Sequence, residues 1–314
     1  RGFLDHAYLA YIEKNHSTNT AAWTLESCFK SFLDSELHEI TLQKLDAWRL
    51  KQRHKPATIN RRVATLKAAM TKAMEWGFIE SNPLERAKQL KVPKVPVHFL
   101  SEAQLDLLFE QLSKRDSQKV VDRQSHNQWR KHRGYELRPS FGDLQLDFKG
   151  APTGYLTPLV RLVADTGLRL NEALSVRWSD INERGVLTAQ SHKTQSFRYI
   201  PLTAEAISQL EYLRRINEAN LGYGSDYLFL NESGERLKSV KTSWNGVRKK
   251  LGFACDFRTL RKTFGSRLIQ NKRSVYEVSQ LLGHSNVETT QKWYLSLSLE
   301  SASAAIATID DSAF

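Results

Sequence analysis

Apolar positions recur with helical spacing over residues 1–87. From Gly2 to Ile12 they fall at 4, 8, 9 and 12, and Ala21 to Leu33 carries Trp23, Phe29, Phe32 and Leu33. The clearest helix is predicted from about Thr58 to Trp76. There Ile59, Val63, Leu66, Met70 and Ala73 share one face at i, i+4, i+7, i+11 and i+14. Pro56 precedes this helix, Thr58 is placed to cap it, and Gly77 suits a left-handed residue that ends it. Its other face carries Asn60, Arg61, Arg62, Lys67 and Lys72, with no acid until Glu75. Such a face is either a solvated charged surface or a contact surface for a polyanion.

The pattern breaks at residues 88–97. Pro93 and Pro96 disfavour helix in the residues before them, and Lys88, Lys91 and Lys94 make the stretch cationic. It reads as an extended linker between a helical domain over 1–87 and a second domain over 98–314. Ser101 is a plausible N-cap for a helix to about Leu112. Residues 113–154 are polar, with little periodicity beyond a short helix near 116–133, and read as an insertion. Leu156 to Asp165 is apolar enough for a buried helix. Gly185 introduces two alternating strands, Val186–Ala189 and Phe197–Leu202, around a polar tip from Gln190 to Ser196. Helices are predicted at about 204–219, 239–251, 259–271, 274–282 and 287–294. Ser274-x-x-Glu277 is a capping box, and Gly283 is placed to end that helix just before His284. The expected fold is mainly α with a small antiparallel β-sheet.

Composition narrows the partners. The chain has 314 residues, long enough for two cores, and a formal net charge of +12. That excess favours a polyanion such as nucleic acid. Cys28 and Cys255 are distant, with no paired-cysteine or histidine spacing. They argue against a structural zinc site or a disulfide scaffold and fit a reducing cytoplasm. No apolar run approaches a bilayer-spanning length, and no signal-peptide pattern opens the chain. The first residue is Arg1 rather than Met, which leaves room for a preceding segment.

The chemistry lies in four spaced groups: Thr166-Gly167-Leu168-Arg169-Leu170-Asn171-Glu172, Leu260-Arg261-Lys262-Thr263-Phe264, Leu282-Gly283-His284, and Tyr294 in Gln291-Lys292-Trp293-Tyr294. A phenol can form a covalent phosphotyrosine. Arginine forks clamp the charge that builds on a phosphoryl group, and a histidine can donate to its oxygens. Together these residues are suited to attack on a phosphodiester. The sequence has neither a carboxylate cluster for two-metal catalysis nor a phosphate-cradling glycine-rich loop, an absence that fits chemistry with no metal and no cofactor.

Taken in order, these groups resemble the tyrosine recombinases of the phage integrase type. The resemblance covers most of the chain. In the first domain it includes Ala57-Thr58-Ile59-Asn60-Arg61-Arg62 and Trp76-Gly77-Phe78-Ile79-Glu80-Ser81-Asn82-Pro83-Leu84. It implies a helical core-binding domain followed by a mixed α/β catalytic domain. Arg169 and Arg261 become the phosphate clamps, Glu172 a supporting residue and His284 a donor to a non-bridging oxygen. Lys193, at the hairpin tip, becomes the general acid for the 5′-oxygen, and Tyr294 the nucleophile. Arg258 stands where the family usually has His. It cannot accept a proton at neutral pH, so its expected role is a contact to the transition state. Thr58, Asn60, Arg61, Arg62, Lys67, Lys91 and Lys94 become the DNA contacts of the first domain and linker.

The implied activity is site-specific cutting and rejoining of double-stranded DNA through a 3′-phosphotyrosine. The resemblance further implies integration or excision of a phage or other mobile element, by a homotetramer in the bacterial cytoplasm, aided by accessory DNA-bending proteins. The apolar tail from Leu295 to Ile309 either packs on its own domain or docks on a neighbouring protomer. Two alternatives share much of the machinery: a DNA topoisomerase of the related tyrosine type, and a non-catalytic DNA-binding relative.

Overall fold

The computed structural model describes residues 2–15, 20–93, 97–138, 154–190, 196–221, 225–231, 233–284 and 286–291. Lys94, Lys193, Tyr294 and the tail from 295 onward lie outside these residues. The chain divides into two compact units, Arg1–Val95 and Pro96–Phe314.

The first unit is helical. A π-helical segment Leu4–Tyr8 runs into α1 (Leu9–Asn15). Then follow α2 (Thr20–Cys28), α3 (Lys30–Leu33), α4 (Leu42–Leu50) and α5 (Pro56–Glu75). The predicted apolar face of α5 is buried: Ile59, Val63, Leu66, Met70 and Ala73 are removed from solvent, and the first four share a core with Ile12, Leu25, Phe29 and Leu45. Each large side chain fully removed from water stabilises the unit by about 1.5–3 kcal/mol. Asn82 closes the turn beyond α5. It donates to the Lys67 carbonyl and the Thr71 hydroxyl, and accepts from the Leu84 N–H.

Two expectations for this unit change. Thr58 does not cap α5; the helix starts at Pro56, with Lys55 in the extended N-cap position. The fixed φ of proline preorganises the first turn, and its missing N–H costs nothing there. The start of the supposed linker is anchored rather than free. The Asn60 amide donates to the Leu90 carbonyl and accepts from the Leu90 N–H, and Arg49 donates to the Lys88 carbonyl.

The second unit is built around α7 (Leu156–Thr166), whose residues Leu159, Val160, Leu162 and Val163 are fully buried. Packed on it are α6 (Glu102–His132), α9 (Ala204–Leu221) and α11 (Phe257–Gln270); α10 (Lys241–Arg248) packs on α6. A short α8 (Leu170–Ala173) follows α7, and α12 (Val275–Leu282) packs on α11. Strands β1 (Val186–Gln190) and β2 (Phe197–Pro201) pair antiparallel, Leu187 opposite Ile200 and Ala189 opposite Arg198. The inward positions are Leu187, Ala189, Arg198 and Ile200, and α12 packs against β2.

The polar insertion was expected to interrupt this unit from residue 113. Instead α6 runs unbroken for 31 residues, capped by Ser101 and Gln104. Residues 113–132 contain no Gly or Pro, and pairs such as Glu110–Lys114 and Gln118–Asp122 support the exposed face. Gly134, at φ +68°, follows its end. Buried Asp116 ties the helix to α7 by accepting from Thr157 at 2.5 Å. Apolar periodicity fades along α6 because its second half is mostly exposed, not because the helix stops.

Candidate active site

Three helix ends of the second unit converge. Helix α7 stops at Gly167, which takes φ +64°. A Cβ here would lie 2.6 Å from Phe264 Cδ1 and 2.8 Å from Leu282 Cδ2. Glycine therefore supplies both the left-handed turn and the close approach of α11 and α12. Helix α12 begins with the Ser274–Glu277 capping box and stops at Gly283, φ +63°. Helix α8 starts immediately after Arg169.

Arg261 stitches two of these ends together from within α11. It is 7% exposed. Nη1 donates to the Gly167 carbonyl at 2.6 Å and Nη2 to the Leu282 carbonyl at 2.5 Å. Carbonyls at helix C-termini lack intrahelical donors and carry the negative end of the helix dipole, so a guanidinium suits them. Burial, then the nearby charges of Arg169 and Arg198, pull Arg261 down to about 9. It therefore remains charged at neutral pH.

Arg169 is half exposed in its side chain and pairs with Glu172, Nη1 to Oε1 at 2.7 Å. Its backbone N–H donates to Glu172 Oε2 at 3.0 Å, and Nη2 lies 3.5 Å from the Gly283 carbonyl. Glu172 also accepts from Arg198 Nη2 at 2.6 Å. Burial alone would raise the Glu172 carboxyl. The bonds from the Arg169 N–H and Arg198, with the Arg198 charge, outweigh it and hold the group below its ordinary value.

His284 follows Gly283, with its N–H on the Ser279 carbonyl at 3.1 Å. Its Nδ1 lies 2.8 Å from the hydroxyl of fully buried Thr290. Burial first, then the charges of Arg261, Arg169 and Arg198, push its pKa down to about 4. The ring is neutral at pH 7.

The geometry thus brings Arg169, Glu172, Arg261 and His284 together. Arg258 lies exposed in the first turn of α11, with its backbone N–H on the Asp256 carboxylate. Lys193 and Tyr294 fall outside those residues. Two members of the cluster went unread in the sequence. Arg198 had a signal, being the charged residue at an inward position of an alternating strand. Thr290 had none, because only the fold brings it to His284.

The basic residues of the first unit differ from this cluster. Arg61 and Lys91 are exposed, and Thr58 is half-buried in the first turn of α5. The Asn60 amide is engaged by Leu90 on both sides. Arg62 donates to Gln52 at 3.2 Å, and Lys67 to the Glu85 carbonyl at 2.5 Å.

Residues 152–300 match the phage integrase family model. Over that span the chain is similar to the phage integrase family, and the curated proteins it resembles include tyrosine recombinases. A probable integrase/recombinase of Acholeplasma phage L2 is 31% identical over 139 residues, 43% of this chain and 46% of that protein. The first curated relatives are thus matched over a little under half their length. Tyrosine recombinase XerC of Leptospira interrogans is 24% identical over 309 residues, 92% of this chain and 86% of its own. Lambda integrase shares the fold. As a dimer bound to a COC′ core site it superposes with a TM-score of 0.67 at 18% identity, covering 93% of this chain and 76% of that one. As a tetramer bound to a Holliday junction the TM-score is 0.64 at 20% identity, with the same coverage. Among the described residues no helix is long and apolar enough to cross a membrane.

Proposed function

We propose that this protein is a site-specific DNA recombinase that cuts and rejoins duplex DNA through a 3′-phosphotyrosine. The observation that carries the reading is the convergence of Arg169, Arg261 and neutral His284 at three helix ends. Cations and a donor held in place by protein carbonyls and a carboxylate need little reorganisation when charge builds on a phosphate. In the proposed reaction Tyr294 loses its phenol proton to solvent and its Oη bonds to phosphorus as the bond to O5′ breaks, while Lys193 passes a proton to that oxygen. The 5′-hydroxyl of a partner strand then reverses the step, so bond energy is kept. With the Thr290 hydroxyl donating to Nδ1, His284 presents Nε2–H to a non-bridging oxygen. Arg258 adds positive charge but cannot take the tyrosine proton.

DNA carrying a specific recombination site is the proposed substrate. Arg61, Arg62, Lys67, Lys91 and Lys94 are proposed to hold its backbone, with Thr58 and Asn60 beside them. A homotetramer on two duplexes, accessory DNA-bending proteins, movement of a phage or other mobile element and a cytoplasmic setting complete the reading. The test is a nicked suicide substrate whose 5′-hydroxyl fragment diffuses away after cleavage. Wild-type protein should accumulate a covalent DNA adduct, and Tyr294→Phe should form none. A wild type that makes no adduct on its own attachment DNA, or a Tyr294→Phe variant that matches it, would sink the reading.

A further inference from the structure

Arg198 is a buried charge in an apolar setting. It stands on the inward face of the hairpin with Leu187, Ala189 and Ile200, and is 7% exposed. Among the described residues its one ion pair is Nη2 to Glu172 Oε2 at 2.6 Å. Its Nε and Nη1 are buried and have no hydrogen-bond partner among the described residues. A guanidinium in this condition is costly, and an aliphatic side chain of similar volume would suit the position better for stability alone. Two features accommodate it. Ala189 directly opposite is small. Gly283 has no Cβ, which would lie 3.0 Å from Nη1 and 3.3 Å from Cδ.

What Arg198 touches is the support of the phosphate clamp. Glu172 joins Arg198 to Arg169, accepting from Arg169 at 2.7 Å on one oxygen and from Arg198 at 2.6 Å on the other. Gly283, against which Arg198 packs, carries His284 and lends its carbonyl to Arg169 at 3.5 Å. Near-zero accessibility of Nε and Nη1 keeps the guanidinium from reaching a phosphate itself.

We infer that Arg198 is a positioning residue for strand cleavage: by sharing the Glu172 carboxylate it stops that carboxylate from neutralising Arg169, and holds Arg169 in place for the scissile phosphate. The inference rests on the recombinase reading. Without Arg198, the buried negative charge of Glu172 falls on Arg169 alone and draws it away from DNA. Removing the Glu172 charge as well should relieve that effect, because the two residues act as one unit.

The test measures single-turnover adduct formation on the nicked substrate, with DNA affinity and melting temperature recorded alongside. Arg198→Gln should slow adduct formation by about 10- to 100-fold per folded molecule, with DNA affinity within about two-fold of wild type. Arg198→Lys, which can keep the single contact to Oε2, should recover most of the rate, and it serves if the glutamine variant does not fold. Glu172→Gln combined with Arg198→Gln should be no slower than the slower single variant.

Several results overturn the inference: a folded Arg198→Gln protein at wild-type rate, a folded lysine variant that recovers nothing, or a double variant whose loss is the product of the single losses. If the wild type itself forms no adduct, the recombinase reading fails first. Crystal structures of wild type and Arg198→Gln then decide the positioning claim separately. An Arg169 guanidinium drawn closer onto Glu172 supports it, and an unmoved one overturns it.

Discussion

The helix-end cluster of the second unit and the basic face of α5 in the first are both rich in cations, yet they are built on opposite principles. In the cluster, each arginine is oriented by protein acceptors. Arg261 is held by two helix-terminal carbonyls, while Arg198 and Arg169 share Glu172. On α5, Arg61 is exposed, and Arg62 and Lys67 make single contacts that lie at or near the surface. The first arrangement fixes direction, which is what a developing charge on one phosphate requires. The second leaves long side chains free to adjust, which is enough for a sequence-independent grip on a polyanion. Positive charge alone therefore says little about role; the acceptors around it say more.

The largest break in this comparison should come from Arg261→Ala. It removes a proposed clamp and leaves the Gly167 and Leu282 carbonyls without their donor, at about 1–3 kcal/mol for each buried group. Adduct formation should fall by at least about 100-fold, and thermal melting should show a lower Tm. A well-folded, active Arg261→Ala protein would show that the buried guanidinium is dispensable.

Gly167→Ala tests the scaffold without touching a charge. The left-handed turn costs about 1–3 kcal/mol for an L side chain, and the added methyl meets Phe264 and Leu282 at under 3 Å. Denaturant titration should register a loss of at least that size. Cleavage should fall with it, because Arg261 bonds the Gly167 carbonyl.

The pH dependence of stability offers a smaller effect with a defined sign. His284 titrates near 4 in the folded protein and near 6.5 when unfolded. Between those values the unfolded state binds the extra proton, so His284 should subtract stability as pH falls from about 6.5 to 4. His284→Gln should flatten that part of the stability curve. An NMR titration placing the folded-state pKa at or above 6.5 would contradict the neutral donor assigned here.

At the low end, Asn60 and Arg61 are adjacent on α5 but should part company. Asn60→Ala should lower the Tm of the first unit, because two hydrogen bonds to Leu90 are lost. Arg61→Ala should leave the Tm unchanged and reduce the slope of log affinity against log salt by about one. Equal effects of the two substitutions on Tm would mean that Arg61 is no freer than its neighbour.

Much of the second unit was legible because local signals and tertiary needs agree there. Gly167 and Gly283 mark helix ends by their freedom at positive φ, and the Ser274–Glu277 box marks a start. Alternation located the hairpin, and its inward set was readable to Ile200; Arg198 was passed over because a charge at a buried position breaks the pattern that identifies a strand. The end of α6 was misjudged for a related reason. Apolar periodicity reports burial, and a helix whose second half faces solvent has little to report. Thr58 was misread because Thr is a strong capping residue, while Pro56 two positions earlier already begins the turn.

By itself, the sequence located most of the helices and both strands, and singled out the residues proposed to carry phosphate chemistry, because spacing, capping and residue type are local properties. Only the tertiary structure decided that Arg261 spans two helix ends, that Glu172 lies between Arg169 and Arg198, and that Thr290 meets His284. These contacts join residues that are in several cases far apart in the chain. They form because burying α7, α11 and α12 against one another brings their ends to one place, where each buried charge needs a partner.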